Sequence, residues 1–258
     1  MLISLRHITC IFIAILLIGC LTSCQSWREA KTVVAEADSL LVHKKTILRD
    51  TAALNFAINT LDGPLGYIFA KQDLAKAYYF MGRNFYYLND FSTAADYYIL
   101  CDRLNPKDPL YKGRVNSCMG YLCKQDSCFE EALVFYERSS SAFKESGSEW
   151  YYAHNLLNIA EQYVNMREYA KADSVLDIAK GYKIDSAYFA RMVDVRALAL
   201  YNQQLYDSAL VCLLRIKNTP RPIEARCYSY MKIMRCYEFL HQLDNTIIYA
   251  EYIVSNSK

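Results

Sequence analysis

The sequence predicts an all-α protein built as an array of antiparallel helix pairs, and three observations carry that prediction. Helix breakers are scarce, with 8 Gly and 5 Pro in 258 residues, whereas an all-β chain needs turn residues about every 8–12 positions. The breakers fall between apolar-periodic segments, as all five prolines do (Pro64, Pro106, Pro109, Pro220, Pro222), together with Gly63, Gly66, Gly113, Gly147 and Gly181. Small residues recur in pairs twelve positions apart: Gly82 with Ala94, Gly120 with Ala132, Ala160 with Ala172, and Ala197 with Ala209. A glycine inside a helix costs about 1 kcal/mol against alanine. Gly82 and Gly120 therefore point to a return, which is the close approach of a second helix.

Composition bounds the function. Hydrophobic residues make up 53% and charged residues 22%, which excludes a disordered or low-complexity chain. A net charge of +2 gives no global drive toward nucleic acid.

The first element is a candidate export signal. Arg6 and His7 precede an almost wholly apolar run, Ile8 to Gly19. As a helix this run spans about 18 Å, short of the ~20 residues that cross a bilayer, so it fits the apolar core of a cleaved signal peptide. Leu21-Thr22-Ser23-Cys24 then resembles a bacterial lipobox. The resemblance implies removal of residues 1–23 and acylation of Cys24, with Cys20 as the alternative in the overlapping Leu17-Ile18-Gly19-Cys20. A multiply acylated cysteine is a firm anchor, since each buried CH₂ contributes about 0.8 kcal/mol. The expected address is the bacterial cell envelope, at the outer membrane.

Residues 24–74 follow as the acylated N-terminus and a divergent helical pair at about 27–61, with Asp50-Thr51 capping its second helix and the GPLG of 63–66 ending it. Beyond this, the residues around each small pair form a pattern: Tyr78-x2-Met81-Gly82-x2-Phe85 then Ala94-x3-Tyr98; Met119-Gly120-x2-Cys123 then Ala132-x3-Tyr136; Ile159-Ala160-x2-Tyr163 then Ala172-x3-Leu176; Ala197-x2-Leu200 then Ala209-x3-Leu213; and a degenerate Ile233-Met234-x2-Tyr237 with Thr246 and Ala250. This pattern resembles the tetratricopeptide repeat. The resemblance implies a right-handed superhelical α-solenoid of antiparallel helix pairs, in repeats at about 75–108, 113–146, 153–186, 190–223 and 227–258. Their centres advance by more than the roughly 34 residues of the family, which calls for longer helices or looser junctions. KESGSE (144–149), KGYKID (180–185) and KNTPRP (217–222) are the junctions.

The resemblance also implies a concave groove lined by the first helix of each repeat. Its positions fall on Lys76, Tyr79, Arg83, Tyr86 and Tyr87, then Arg114, Tyr121 and Lys124, then His154 and Glu161, then Arg191, Asp194 and Tyr201, and finally Tyr228, Arg235 and Glu238. Six cations against three carboxylates, interleaved with tyrosine, suit an extended peptide carrying carboxylate groups. The lysine and asparagine of the family's known carboxylate clamp are absent, with Tyr79 and Arg83 in their places. No polar capping helix follows the fifth repeat, which leaves two readings: Ile247, Ile248, Tyr252 and Ile253 pack onto a partner or a second copy, or the last helix is its own cap.

Catalytic patterns are absent. His43, His154 and His241 fall on separate segments without HExxH spacing, and there is no GxSxG, P-loop or dinucleotide glycine pattern. Seven cysteines beyond Cys24 are an odd number, which is no disulfide framework. They read as buried small hydrophobes, with Cys118–Cys128 or Cys227–Cys236 as the pairs an oxidising envelope could bridge. No metal or cofactor is expected. The sequence therefore points to a membrane-anchored scaffold for a peptide or protein partner, without catalysis. The alternatives are an envelope sensory protein acting through a separate signalling partner, or an accessory subunit of an outer-membrane uptake or assembly complex.

Overall fold

The computed structural model describes residues 24–40, 51–182 and 184–256. Residues 1–23, where an export signal is expected and which include Cys20, lie outside the described residues, as do His43 and Asp50. Among the described residues every regular element is a helix: α1 (24–40), α2 (Thr51–Leu61), α3 (Pro64–Phe69), α4 (Lys71–Tyr87), α5 (Phe91–Arg103), α6 (Pro109–Gln125), α7 (Phe129–Glu145), α8 (Glu149–Asn165), α9 (Tyr169–Ala179), α10 (Ser186–Asn202), α11 (Tyr206–Ile216), α12 (Ile223–Phe239) and α13 (Leu243–Asn256). None of them is long and apolar enough to cross a membrane.

The first helices α4, α6, α8, α10 and α12 are all 17 residues long, and each starts four residues before the repeat boundary read from the sequence. The longer spacing has two sources. α7 extends to 17 residues, and six-residue junctions precede α10 and α12. Asp185 caps α10 by accepting a hydrogen bond from the Tyr188 amide at 2.7 Å, and the Tyr188 hydroxyl donates to the Ala179 carbonyl at 2.8 Å, tying that junction closed. The GPLG segment does not simply end α2. It starts α3, with Pro64 in the first turn, where its missing N–H is no loss.

The small-residue pairs are where the helices meet. A Cβ on Gly82 would lie 2.7 Å from Tyr98 Cε1 and 3.2 Å from the Ala94 carbonyl oxygen, and one on Gly120 would lie 2.9 Å from the Tyr136 ring. Ala94, Ala132, Ala172 and Ala209 are fully buried, as are Tyr98, Tyr136, Leu176 and Leu213 four residues on. Tyr98 and Tyr136 thus seat over the glycine of the preceding helix, filling the groove that the missing side chain leaves, and Leu176 and Leu213 share a core with Ala160 and Ala197.

One turn recurs five times. Three residues join each first helix to its second, and the middle one is left-handed: Asn89 (φ 60°), Ser127 (60°), Arg167 (61°), Gln204 (63°) and His241 (57°). The next amide reaches back five residues to a helix carbonyl, as Cys128 to Cys123 at 2.9 Å and Glu168 to Tyr163 at 2.8 Å. This is a Schellman ending, for which glycine is the usual residue, and none of the five is glycine. A non-glycine residue pays about 1–2 kcal/mol for this conformation, while glycine adds about 0.5–1 kcal/mol of unfolded-state entropy. Ser127→Gly, Arg167→Gly and Gln204→Gly are therefore each expected to stabilise the chain by about 0.5–1 kcal/mol. Thermal unfolding of the triple variant checks this, and an unchanged or lower midpoint contradicts it.

The chain divides into two units, with the boundary between Val115 and Asn116 inside α6. In the first, α4 is buried on nearly every side, from Leu74 to Asn84, by α5, α2 and α3. In the second, α8–α9, α10–α11 and α12–α13 form successive pairs. Asn155 ties α8 to α7, its amide donating to the Tyr136 carbonyl at 2.6 Å and the Ser140 hydroxyl at 2.9 Å.

Candidate functional site

The residues expected to line a groove have different fates in the two units. In the first unit α1 takes them up. Lys76 Nζ pairs with Asp38 Oδ2 at 2.7 Å, and the Tyr111 hydroxyl donates to Asp38 Oδ1 at 2.6 Å. Lys76 also lies 4.8 Å from the Tyr111 ring centroid and the Arg114 guanidinium 5.2 Å from it. Burial opposes ionisation of Asp38, but the hydrogen bonds from Lys76 and Tyr111 and the charges of Lys76 and Arg114 outweigh it, holding the carboxyl below the usual range. Burial, reinforced by the hydrogen bond to Asp38, drives the Tyr111 phenol far up. Tyr79 and Arg114 are buried, and Tyr79 sets an edge against the Tyr111 ring. Tyr79, Tyr111 and Arg114 are thus interior residues, and the Lys76–Asp38 pair is half-buried. Arg83, Tyr86 and Tyr87 remain at the C-terminal end of α4. There Arg83 donates to the Tyr87 hydroxyl at 3.2 Å and Tyr86 packs edge-on against Tyr87.

In the second unit the first helices bring their polar residues together. Lys124 Nζ, over the Tyr121 ring, pairs with Glu161 at 3.1 Å, and Arg191 reaches Glu161 at 3.8 Å and Asn158 Oδ1 at 2.5 Å. On α10, Asp194 accepts from Arg221 Nη1 at 2.5 Å and from the Ser229 hydroxyl at 2.8 Å. Around these groups opens a pocket of about 290 Å³, walled by Val195, Leu198 and Ala225 and reaching Tyr228 and Lys232. Lys232 is buried, its ammonium 4.1 Å from the Tyr228 ring centroid. Burial pushes its pKa below the ordinary lysine range, against the opposing pull of Asp194 and Glu161.

His154, Tyr201 and Arg235 stand apart from this cluster. His154 stacks on Trp150 at 3.9 Å with its Nδ1 2.8 Å from the Trp150 carbonyl oxygen. Tyr201 packs on Tyr206 and Phe239, with Arg235 beside its hydroxyl. On α13, Ile247 and Ile248 are exposed, whereas Tyr252 and Ile253 pack into the core around Tyr230 and Ile233. Cys24 is exposed at the start of α1, and the cysteines from Cys101 to Cys236 are free thiols, including both pairs considered for bridging. A larger hollow of about 720 Å³ lies between α9, α10 and α11. Its walls are mostly apolar, and two of the three cations on them are engaged, Arg196 by Asp173 and Asp177 and Arg215 over Phe189.

Sequence reasoning missed Lys232 and Arg221. Arg221 lies in a junction read as a connector. Lys232 falls off the groove positions the family implies, which on its helix include Tyr228 and Arg235. Its only sequence signal is its place four residues after Tyr228 on a helix.

No protein-family model and no curated protein matches the chain. Among solved structures it is similar to BtubC (BKLC) from P. vanneervenii, at 14% identity over 91% of each chain with a TM-score of 0.53. A likeness at that identity bears on the fold alone.

Proposed function

We propose that the chain is a lipid-anchored interaction scaffold that binds a peptide or protein partner on the face carried by its first helices, without catalysis. The single observation that carries this is the second-unit cluster. Three first helices, α8, α10 and α12, place Glu161, Arg191, Asp194, Tyr228 and Lys232 around one open pocket. Successive pairs of constant first-helix length support the reading of a tetratricopeptide-type α-solenoid, in which such a face is continuous from repeat to repeat. Tyrosine and arginine on that face offer contact area and carboxylate recognition at small entropic cost. The exposed Cys24 after the lipobox-like residues supports anchoring at the outer membrane of an envelope.

Two measurements test the two parts. Metabolic palmitate labelling is expected on the chain and is expected to vanish in Cys24→Ala; labelling that persists there moves the anchor to Cys20. A photo-crosslinker at Tyr228 is expected to capture a partner that one at the exposed Val211 of α11 does not, with Arg191→Glu weakening that partner at least tenfold. Equal capture from both positions removes the groove assignment.

A further inference from the structure

The pocket between α8, α10 and α12 contains one cation too many. Its two carboxylates are already satisfied, Glu161 by Lys124 and Arg191 and Asp194 by Arg221 and Ser229. Lys232 is the remaining cation. It is buried, it lines the pocket, and it makes no ion pair or hydrogen bond among the described residues. Its ammonium lies over the Tyr228 ring. A largely buried lysine whose nearby carboxylates, Asp194 and Glu161, are already engaged by other cations is a cost to the fold, and methionine would fill the same space without that cost. A residue kept against stability, aimed into an open pocket, points to a ligand.

We propose that this pocket is a carboxylate-binding site in which Lys232 and Arg191 supply the positive charge and Val195, Leu198 and Ala225 take an apolar stem. Three cations, Arg191, Arg221 and Lys232, line the pocket against two carboxylates, Glu161 and Asp194, so it has room in charge for an anionic group. About 290 Å³ is the lower end of the size of ligand pockets, and suits one acidic side chain or one short-chain acid. The site deepens the scaffold reading and rests on it only for the origin of the carboxylate. The same group is offered by a partner's acidic side chain and by a free small acid.

The test is isothermal titration calorimetry on the purified full chain with three probes: pentanoate, its neutral isostere pentanamide, and the blocked peptide acetyl-Ala-Ala-Glu-Ala-Ala-amide, whose sole carboxylate is a side chain. At least one carboxylate probe is expected to bind ten times or more tightly than pentanamide, and Lys232→Met is expected to remove that preference while raising the thermal midpoint. Binding of the peptide alone assigns the carboxylate to a partner protein, and binding of pentanoate alone assigns it to a free acid. Arg191→Gln, at a half-exposed position, supplies a second variant and is expected to weaken the same probe at least threefold. Carboxylates that bind no better than the amide, or binding that survives both substitutions, overturn the site. Failure to crosslink any partner at Tyr228 with pentanoate binding intact would instead remove the scaffold reading and leave this one standing.

Discussion

Asp194→Ala is expected to destabilise the chain by about 3–5 kcal/mol, the loss typical when one member of a buried ion pair is removed. The Arg221 side chain is 4% exposed and its partner 15%, so both charges are largely withdrawn from water. Arg221 divides its guanidinium between Asp194 and the Ile216 carbonyl at 3.2 Å, which fastens the junction before α12 to the end of α11. Removing Asp194 strands that guanidinium and also takes the acceptor from the Ser229 hydroxyl. Removing both charges together, as Asp194→Leu with Arg221→Met, is expected to recover most of the loss, because an apolar pair of similar volume has no desolvation to offset. The exposed pair of Arg196 with Asp177 at 3.4 Å, 44% and 71% exposed, is the contrast, and Asp177→Ala is expected to cost about 0–1 kcal/mol. Urea unfolding of the three variants separates the outcomes, and a loss below about 1 kcal/mol for Asp194→Ala contradicts the buried-pair account.

The sequence makes the helix pairs readable because close packing leaves a mark that survives without coordinates. A glycine in a helix is unfavourable on its own, so Gly82 and Gly120 announce a neighbour, and the alanine twelve residues later names it. The partner side chain follows by helix periodicity, four residues on, at Tyr98 and Tyr136. The five connecting turns are not readable in the same way. Their left-handed residues are Asn, Ser, Arg, Gln and His, and the turn is imposed by the packing of the helices on either side and not by local preference. Nor is the fate of Lys76 and Arg114. The acid that takes up Lys76 and Tyr111 is Asp38, 38 and 73 residues away in sequence, and nothing in the local pattern of α4 or α6 marks those side chains as already engaged. The Lys232 pocket is hidden for a related reason. A lysine on a helix reads as solvated, and only the arrival of α8 and α10 from two other pairs encloses it.

The segment 63–66 carries the second large expected effect, and it contains its own control. Gly66→Ala is expected to destabilise the first unit by about 3 kcal/mol, the upper end of what overpacking typically costs. A Cβ there would fall 1.6 Å from the Leu61 carbonyl oxygen and 2.7 Å from its carbon. Those are backbone atoms, so no rotamer change relieves the overlap, and α3 must move off the end of α2. Leu61 is fully buried, and the Tyr78 hydroxyl holds Asp62 one residue on at 2.9 Å, so α2 cannot yield easily either. Gly63 lies three residues earlier in the same segment, in extended backbone (φ −165°) with nothing within 4 Å of its Cβ position. Gly63→Ala is expected to be neutral or slightly stabilising, since it restricts the unfolded chain without strain in the folded one. Both glycines read alike in the sequence, as breakers around Pro64. If the two alanine variants unfold at the same urea concentration, α3 is not held by close contact of Gly66 with the end of α2. If only Gly66→Ala falls, the segment is a tightly docked helical step between α2 and α4, and the glycine is what lets it close.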